Sequence, residues 1–121
     1  MQIQINTDHK IEGREALAEH VTHVVQRAMN RLSDHITRIE VHLNDEKNSK
    51  SDYHDKRCMM EARLEGRQPI SVTHHAQTLH QAIDGAAEKL VRIVDSTLGR
   101  LHDQKTRSEG LVVPEQPVAE I

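Results

Sequence analysis

The sequence predicts an α+β domain of order βαβββα, with two helices packed on one face of a four-stranded mixed sheet. Three observations predict it. Apolar residues recur at three- and four-residue steps in two long segments, 14–32 and 79–101. They alternate with polar residues in four short segments, 2–6, 37–44, 57–64 and 70–74. Turn formers separate the last three of these, in DEKNSKSDYHD at Asp45–Asp55 and GRQP at Gly66–Pro69.

QIQIN, Gln2–Asn6, puts Ile3 and Ile5 on one face of a short strand. From Arg14 to Leu32, the residues Leu17, Val21, Val24, Val25, Ala28 and Leu32 form the apolar stripe of a helix. TRIEVHLN, Thr37–Asn44, sets Ile39, Val41 and Leu43 against Arg38, Glu40 and His42, the clearest strand in the chain. Asp45–Asp55 is an exposed loop. KRCMMEARLEG, Lys56–Gly66, competes between helix and strand; alternation from Arg57 to Leu64 and the turn that follows decide for a strand with Cys58, Met60, Ala62 and Leu64 inward. Ile70, Val72 and His74 continue as a third antiparallel strand. Leu79, Ala82, Ile83, Ala86, Leu90, Ile93, Val94, Thr97 and Leu101 mark a long helix ending near Gln104. The domain therefore spans residues 1–105, and residues 106–121, with Pro114, Pro117 and three glutamates, read as a mobile acidic tail.

A parallel first pair joined by a right-handed crossover, followed by a meander, puts both helices on one side of the sheet. The open face then carries Gln2, Gln4, Arg38, Glu40, His42, Arg57, Met59, Glu61, Arg63, Ser71 and Thr73, mixed in sign and without an apolar docking patch.

At 121 residues and 36% apolar content, the chain allows one domain, and no apolar run is long enough to cross a bilayer. The amino terminus lacks the basic start and apolar stretch of a secretory signal, and the one cysteine allows no internal disulfide. A cytoplasmic protein is expected. With no Trp or Phe and only Tyr53, the chain has no platform for stacking bases, so any nucleic acid must be held by its backbone or shape. The formal charge of -3 is misleading: all 16 Lys and Arg, but only 16 of 19 acids, precede residue 109. The domain is neutral in sum, and the placement of its charges decides what it attracts.

On a wheel at about 100° per residue, Lys89, Arg92 and Arg100 fall on one flank of the second helix, with Gly85 and Ser96 between them, while Asp84, Glu88 and Asp95 lie opposite or on the back. Arg27 and Arg31 share a flank of the first helix with His20. Because parallel helices turn similar flanks the same way, one stripe faces the groove between them and the other the outer edge. Such lines of cations suit phosphate backbones, although charged flanks on amphipathic helices are commonly only solvated.

Ten histidines raise the question of a metal. His20 and His23 are three apart on a helix, and His74 and His75 point to opposite faces of a strand, but neither pair has a third ligand at a recognisable spacing, so no metal is expected. Cys58 on an inward strand position reads as a core residue. No glycine-rich phosphate loop, nucleophile elbow or paired carboxylates appear, so neither an enzyme nor a cofactor nor a small-molecule substrate is expected.

MQIQINTDH at the start, EALAEHVT at Glu15–Thr22, ITRIEVHL at Ile36–Leu43 and QAIDGAAEKLVR at Gln81–Arg92 together resemble the bacterial ribosome hibernation-promoting factor and protein Y family, also called sigma-54 modulation proteins. The resemblance covers roughly residues 1–105 and implies the same βαβββα fold, similar to a double-stranded RNA-binding domain with an added strand. It implies a partner, the small ribosomal subunit with its 16S rRNA and nearby ribosomal proteins, and a role in blocking translation on idle ribosomes under stress. Arg27 matches a family cation on the first helix, and Lys89 and Arg92 match cations on the second. After Arg92 the family usually continues with Lys and Arg, whereas this chain reads IVDSTLGR, with Asp95 and Ser96. The candidate RNA contacts are Arg27, Arg31, Lys89, Arg92 and Arg100. The alternative is a protein interaction module on the same fold, with ribosome binding weakened or lost.

Overall fold

The structure, a computed structural model, describes residues 1–8, 11–45 and 56–112, with side chains as far as residue 100. Its elements are β1 (Gln2–Thr7), α1 (Arg14–Met29), a 3-10 helix (Asn30–His35), β2 (Ile36–Asp45), β3 (Lys56–Leu64), β4 (Ile70–Ala76) and α2 (Leu79–Val112). One sheet runs in the order β1-β2-β3-β4. β1 is parallel to β2, and the other neighbours are antiparallel. The expected βαβββα order and mixed sheet are present.

Alternation in the strands selects the buried face. Ile39, Val41 and Leu43 of β2 stand opposite Ala62, Met60 and Cys58 of β3, and all six are buried beneath the helices. Val21, Val25 and Met29 of α1 and Ile83, Ala86, Leu90 and Val94 of α2 close the core from above. α1 packs against β1 and α2, while α2 lies over β3 and β4. Two local signals set the boundaries. The Arg67 N–H donates to the Leu64 carbonyl at 3.2 Å, closing a turn whose third residue, Gly66, sits at φ 69° where a side chain would be strained. At the start of α2 the Gln81 N–H donates to the Thr78 hydroxyl at 3.1 Å and the Ala82 N–H to the Thr78 carbonyl at 3.0 Å. Thr78 and Gln81 have the Thr-x-x-Gln spacing of a capping box.

Several sequence expectations are revised. α1 stops at Met29, and the chain tightens into the 3-10 helix, with the Ser33 hydroxyl donating to the Asn30 carbonyl at 2.9 Å. Leu32 still reaches the core from this turn, but Met29 is fully buried while Val24 and Ala28 are only half-buried, because the stripe faces the sheet rather than α2. Ile93 is 42% exposed and not part of the core; it overhangs the outer flank of α2, and Ala87 is buried on the opposite side of the stripe. Ile3 and Ile5 are half-buried, as befits an edge strand. Asp45 belongs to β2, and the rest of the expected loop, residues 46–55, lies outside the described residues. α2 continues to Val112, past the expected end near Gln104, and residues 113–121 of the expected tail lie outside the described residues.

Gly85 lets α2 approach β4. A Cβ built there would fall 2.1 to 2.7 Å from three atoms of the His74 ring. Gly85→Ala is therefore expected to destabilise the fold by about 1–3 kcal/mol through overpacking. With His74→Ala in the background the sign reverses, because alanine is a better helix former than glycine by about 1 kcal/mol. Urea unfolding of the two single variants and the double variant measures both.

Candidate nucleic-acid interface

The register of the helices decides which charges meet. His20 Nε2 lies 3.1 Å from Asp84 Oδ1, and Arg31 Nη1 donates to Asp95 Oδ1 at 3.0 Å; both contacts join residues 64 apart. Two bridges with one offset mean that α1 and α2 run parallel and in step. Asp84, Glu88 and Asp95 thus occupy the flank of α2 that faces α1. Arg27 lines the groove between the helices with His20, His23, Asp84 and Glu88, over a floor that includes Val24, Ala28 and Ala87; its volume is about 510 Å³.

The opposite flank of α2 differs. Lys89 Nζ donates to the Thr73 carbonyl at 3.1 Å, which places the ammonium over β4, an edge of the sheet. Arg100 donates to Ser96 Oγ at 3.4 Å and Thr97 Oγ1 at 3.5 Å. No Asp or Glu occurs between Gly66 and Ile83, so β4 and the first turn of α2 bring no carboxylate to this side. Arg92 lies further toward the back of the helix, where Nη2 is 3.8 Å from Glu88 Oε1 and Nε donates to the Glu88 carbonyl at 3.4 Å.

The five cations named from the sequence therefore do not make one site. Lys89 and Arg100 share the outer flank, Arg92 borders it, Arg27 faces the groove, and Arg31 sits in the 3-10 helix bound to Asp95. The hydrogen bond and the charge of Arg31 hold the Asp95 carboxyl below its ordinary range, and Asp95 in turn raises Arg31. With side chains 64% and 51% exposed, the pair is screened by solvent and adds little stability. Asp95→Asn frees Arg31 and removes a negative charge, and is expected to tighten RNA binding several-fold and raise the salt slope by about one. Filter binding over a salt series checks this. Asp95 is thus an internal partner of Arg31.

Charges on the open face of the sheet pair largely with one another, although the buried Arg38 Nε has no hydrogen-bond partner. Arg38 Nη2 is 2.7 Å from Glu40 Oε2, Arg63 Nε is 3.5 Å from both Glu40 and Glu61, and His42 lies 3.7 Å from Glu40. Arg38 stands directly opposite Arg63, and Glu40 opposite Glu61. Like charges across the ladder are thus offset by contacts along each strand, Arg38 to Glu40 and Arg63 to Glu61, and by the diagonal from Arg63 to Glu40, whose side chain is only 16% exposed.

The histidines divide as the strand and helix periods require. The His20 ring lies 4.3 Å from the His80 ring, tilted by 49°, beside Asp84; His74 packs on Gly85, and His75 opposes Arg57 on the open face. Among the described residues no group of three side chains is placed to hold a metal ion. Cys58 is fully buried, and burial pushes its thiol up to about 12, which leaves no thiolate to act as a nucleophile. In the unfolded chain the same thiol ionises near pH 9, so the unfolded state loses its proton first. Stability is then lost as pH rises from about 9 toward 12, at up to about 1.4 kcal/mol per unit from this group. Denaturant melts at pH 8, 9.5 and 10.5 should show the steeper fall for wild type than for Cys58→Ala.

A four-stranded mixed sheet covered on one face by two parallel helices, with a basic outer flank, is a small α+β domain. Residues 3–102 match the family described as Sigma 54 modulation protein / S30EA ribosomal protein, and the chain belongs to that ribosome-associated family. No curated protein sequence matches it. Two of the solved structures that share the fold illustrate the likeness. The crystal structure of the Thermus thermophilus Protein Y N-terminal domain aligns with a TM-score of 0.65 at 23% identity, covering 80% of this chain and 99% of that one. A ribosomal subunit interface protein from Coxiella burnetii aligns with a TM-score of 0.62 at 18% identity, covering 82% and 99%. None of the described helices is long and apolar enough to cross a membrane.

Sequence periodicity put Lys89 and Arg100 on one flank of α2, where the structure also has them, but missed the Thr73 carbonyl that positions Lys89. A backbone acceptor leaves no mark in the residue types. It also missed that Glu88 and Asp95 occupy Arg92 and Arg31, the second across 64 residues.

Proposed function

We propose that this chain is a non-catalytic, cytoplasmic factor that binds the small ribosomal subunit through the 16S rRNA backbone and nearby ribosomal proteins, inhibiting translation and promoting hibernation under stress. Membership of a ribosome-associated family supports the partner. The observation that carries the mode of binding is the segregation of charge on α2, with Lys89 and Arg100 on the outer flank and Asp84, Glu88 and Asp95 turned toward α1. Of the three N–H donors of the Lys89 ammonium, one is used by Thr73, and two remain for phosphate oxygens. Lys89 and Arg100 are the primary contacts, Arg92 and Arg27 assist, and Arg31 joins only when Asp95 releases it.

Cosedimentation of the protein with purified 30S and 70S particles over a salt series tests this reading, beside a cell-free translation assay. The expected result is pelleting with 30S that falls steeply with salt and inhibition of translation in the same concentration range. A protein that stays in the supernatant even at low salt refutes it.

A further inference from the structure

We propose that β1 is a self-pairing edge through which two copies of this chain join into one continuous eight-stranded sheet. The sheet has two edges, β1 and β4. Edge strands commonly carry devices that prevent pairing, such as charge, proline or a covering group. β4 has them: Pro69 precedes it, and Lys89 sits on the carbonyl of Thr73. β1 reads QIQINT, with no charge, proline or glycine, and its Ile3 and Ile5 are only half-buried. Among the described residues, no strand pairs with its outer side.

The backbone orientation can be read from one bond. Thr7 is the register partner of Leu43, and the Asp8 N–H donates to the Leu43 carbonyl at 3.0 Å. Even-numbered residues of β1 therefore aim their N–H and C=O groups at β2, and Ile3 and Ile5 aim theirs at the free edge. A two-fold antiparallel pairing centred on Gln4 sets Ile3 against the partner's Ile5 and Ile5 against the partner's Ile3, each a doubly hydrogen-bonded pair. Gln4 meets the partner's Gln4 in a pair without hydrogen bonds, where side chains come closest. The period of two is kept, so Ile3 and Ile5 stay on the helix side in both copies, and no charge opposes a like charge across the seam. The seam is small compared with a stable interface, so the dimer is weak, with a Kd between about 10 µM and about 1 mM. If the proposed RNA-binding role holds, such a dimer carries its two basic flanks on opposite ends of the sheet, because β4 lies farthest from the seam in each copy.

Sedimentation equilibrium of the full chain without RNA, from about 10 µM to about 1 mM, tests the pairing independently of ribosome binding. Wild type is expected to rise from the monomer mass toward the dimer mass across this range, reaching at least about 1.5 times the monomer mass at the upper end. Gln4→Lys and Gln4→Glu, on the exposed open face, each set a charge against itself and are expected to weaken the dimer about tenfold, while an equal mixture of the two restores it. Gln4→Cys is expected to form an intermolecular disulfide faster than the exposed control Gln77→Cys, with buried Cys58 taking no part. A wild-type monomer throughout the range, charge variants that associate like wild type, or equal cross-linking of both cysteines overturns the proposal.

Discussion

Lys89→Glu combined with Arg92→Glu is expected to weaken binding to 30S particles about a hundredfold near 100 mM salt and to lower the salt slope by about two. The slope is the informative quantity, since each Lys or Arg at a phosphate releases counterions when it binds. The single variants should differ. Lys89 gives its one described hydrogen bond to a neutral carbonyl, so its full charge faces outward, whereas Arg92 is partly neutralised by Glu88. Lys89→Glu should therefore cost more than Arg92→Glu. Arg14→Glu, an exposed reversal at the start of α1, changes net charge equally and controls for long-range repulsion. Equal losses for Lys89→Glu and Arg14→Glu would mean that overall charge, and not this flank, governs binding. Unchanged pelleting of the double variant would remove the site altogether.

Leu90→Ala is expected to destabilise the fold by about 2–5 kcal/mol, read as a lower urea midpoint with an unchanged slope. Leu90 is fully buried on the stripe of α2 that packs on the sheet. Truncation removes transfer energy and leaves a cavity that helices held at both flanks cannot close. Against the roughly 5–15 kcal/mol of a typical domain, that is a large share. Ile93→Ala, three residues on, should cost no more than about 0.5 kcal/mol, because Ile93 is 42% exposed. A large loss at Ile93 would show that the outer flank is covered in solution, which would also remove Lys89 from reach of a phosphate.

Much of the fold was legible because burial leaves a period in the chain. Alternation in Ile39, Val41 and Leu43 and in Cys58, Met60 and Ala62 assigned the faces of β2 and β3, and all six residues are buried. The helix stripes were legible for the same reason, with errors where the axis departs from an ideal wheel. Leu32 continued the period of α1 in sequence, but the backbone had already passed into a 3-10 helix at Asn30. Ile93 continued the period of α2, but at the margin of the stripe and beyond the cover of the sheet. The family resemblance rested on the same segments and is borne out by the match over residues 3–102.

By itself, the sequence determined the order of the elements, the face each one buries, and the separation of cations from acids around α2. These are local properties, set by periods of 2 and about 3.6 residues and readable from neighbours a few positions away. Only the tertiary structure decided which flank meets which element. The parallel, in-step packing of α1 and α2 bonds Arg31 to Asp95 and turns the acids inward, and the place of α2 over β4 sets Lys89 on the Thr73 carbonyl. Partners 64 and 16 residues apart share no pattern along the chain, because side chains at such distances meet only after the core has fixed how the helices lie on the sheet.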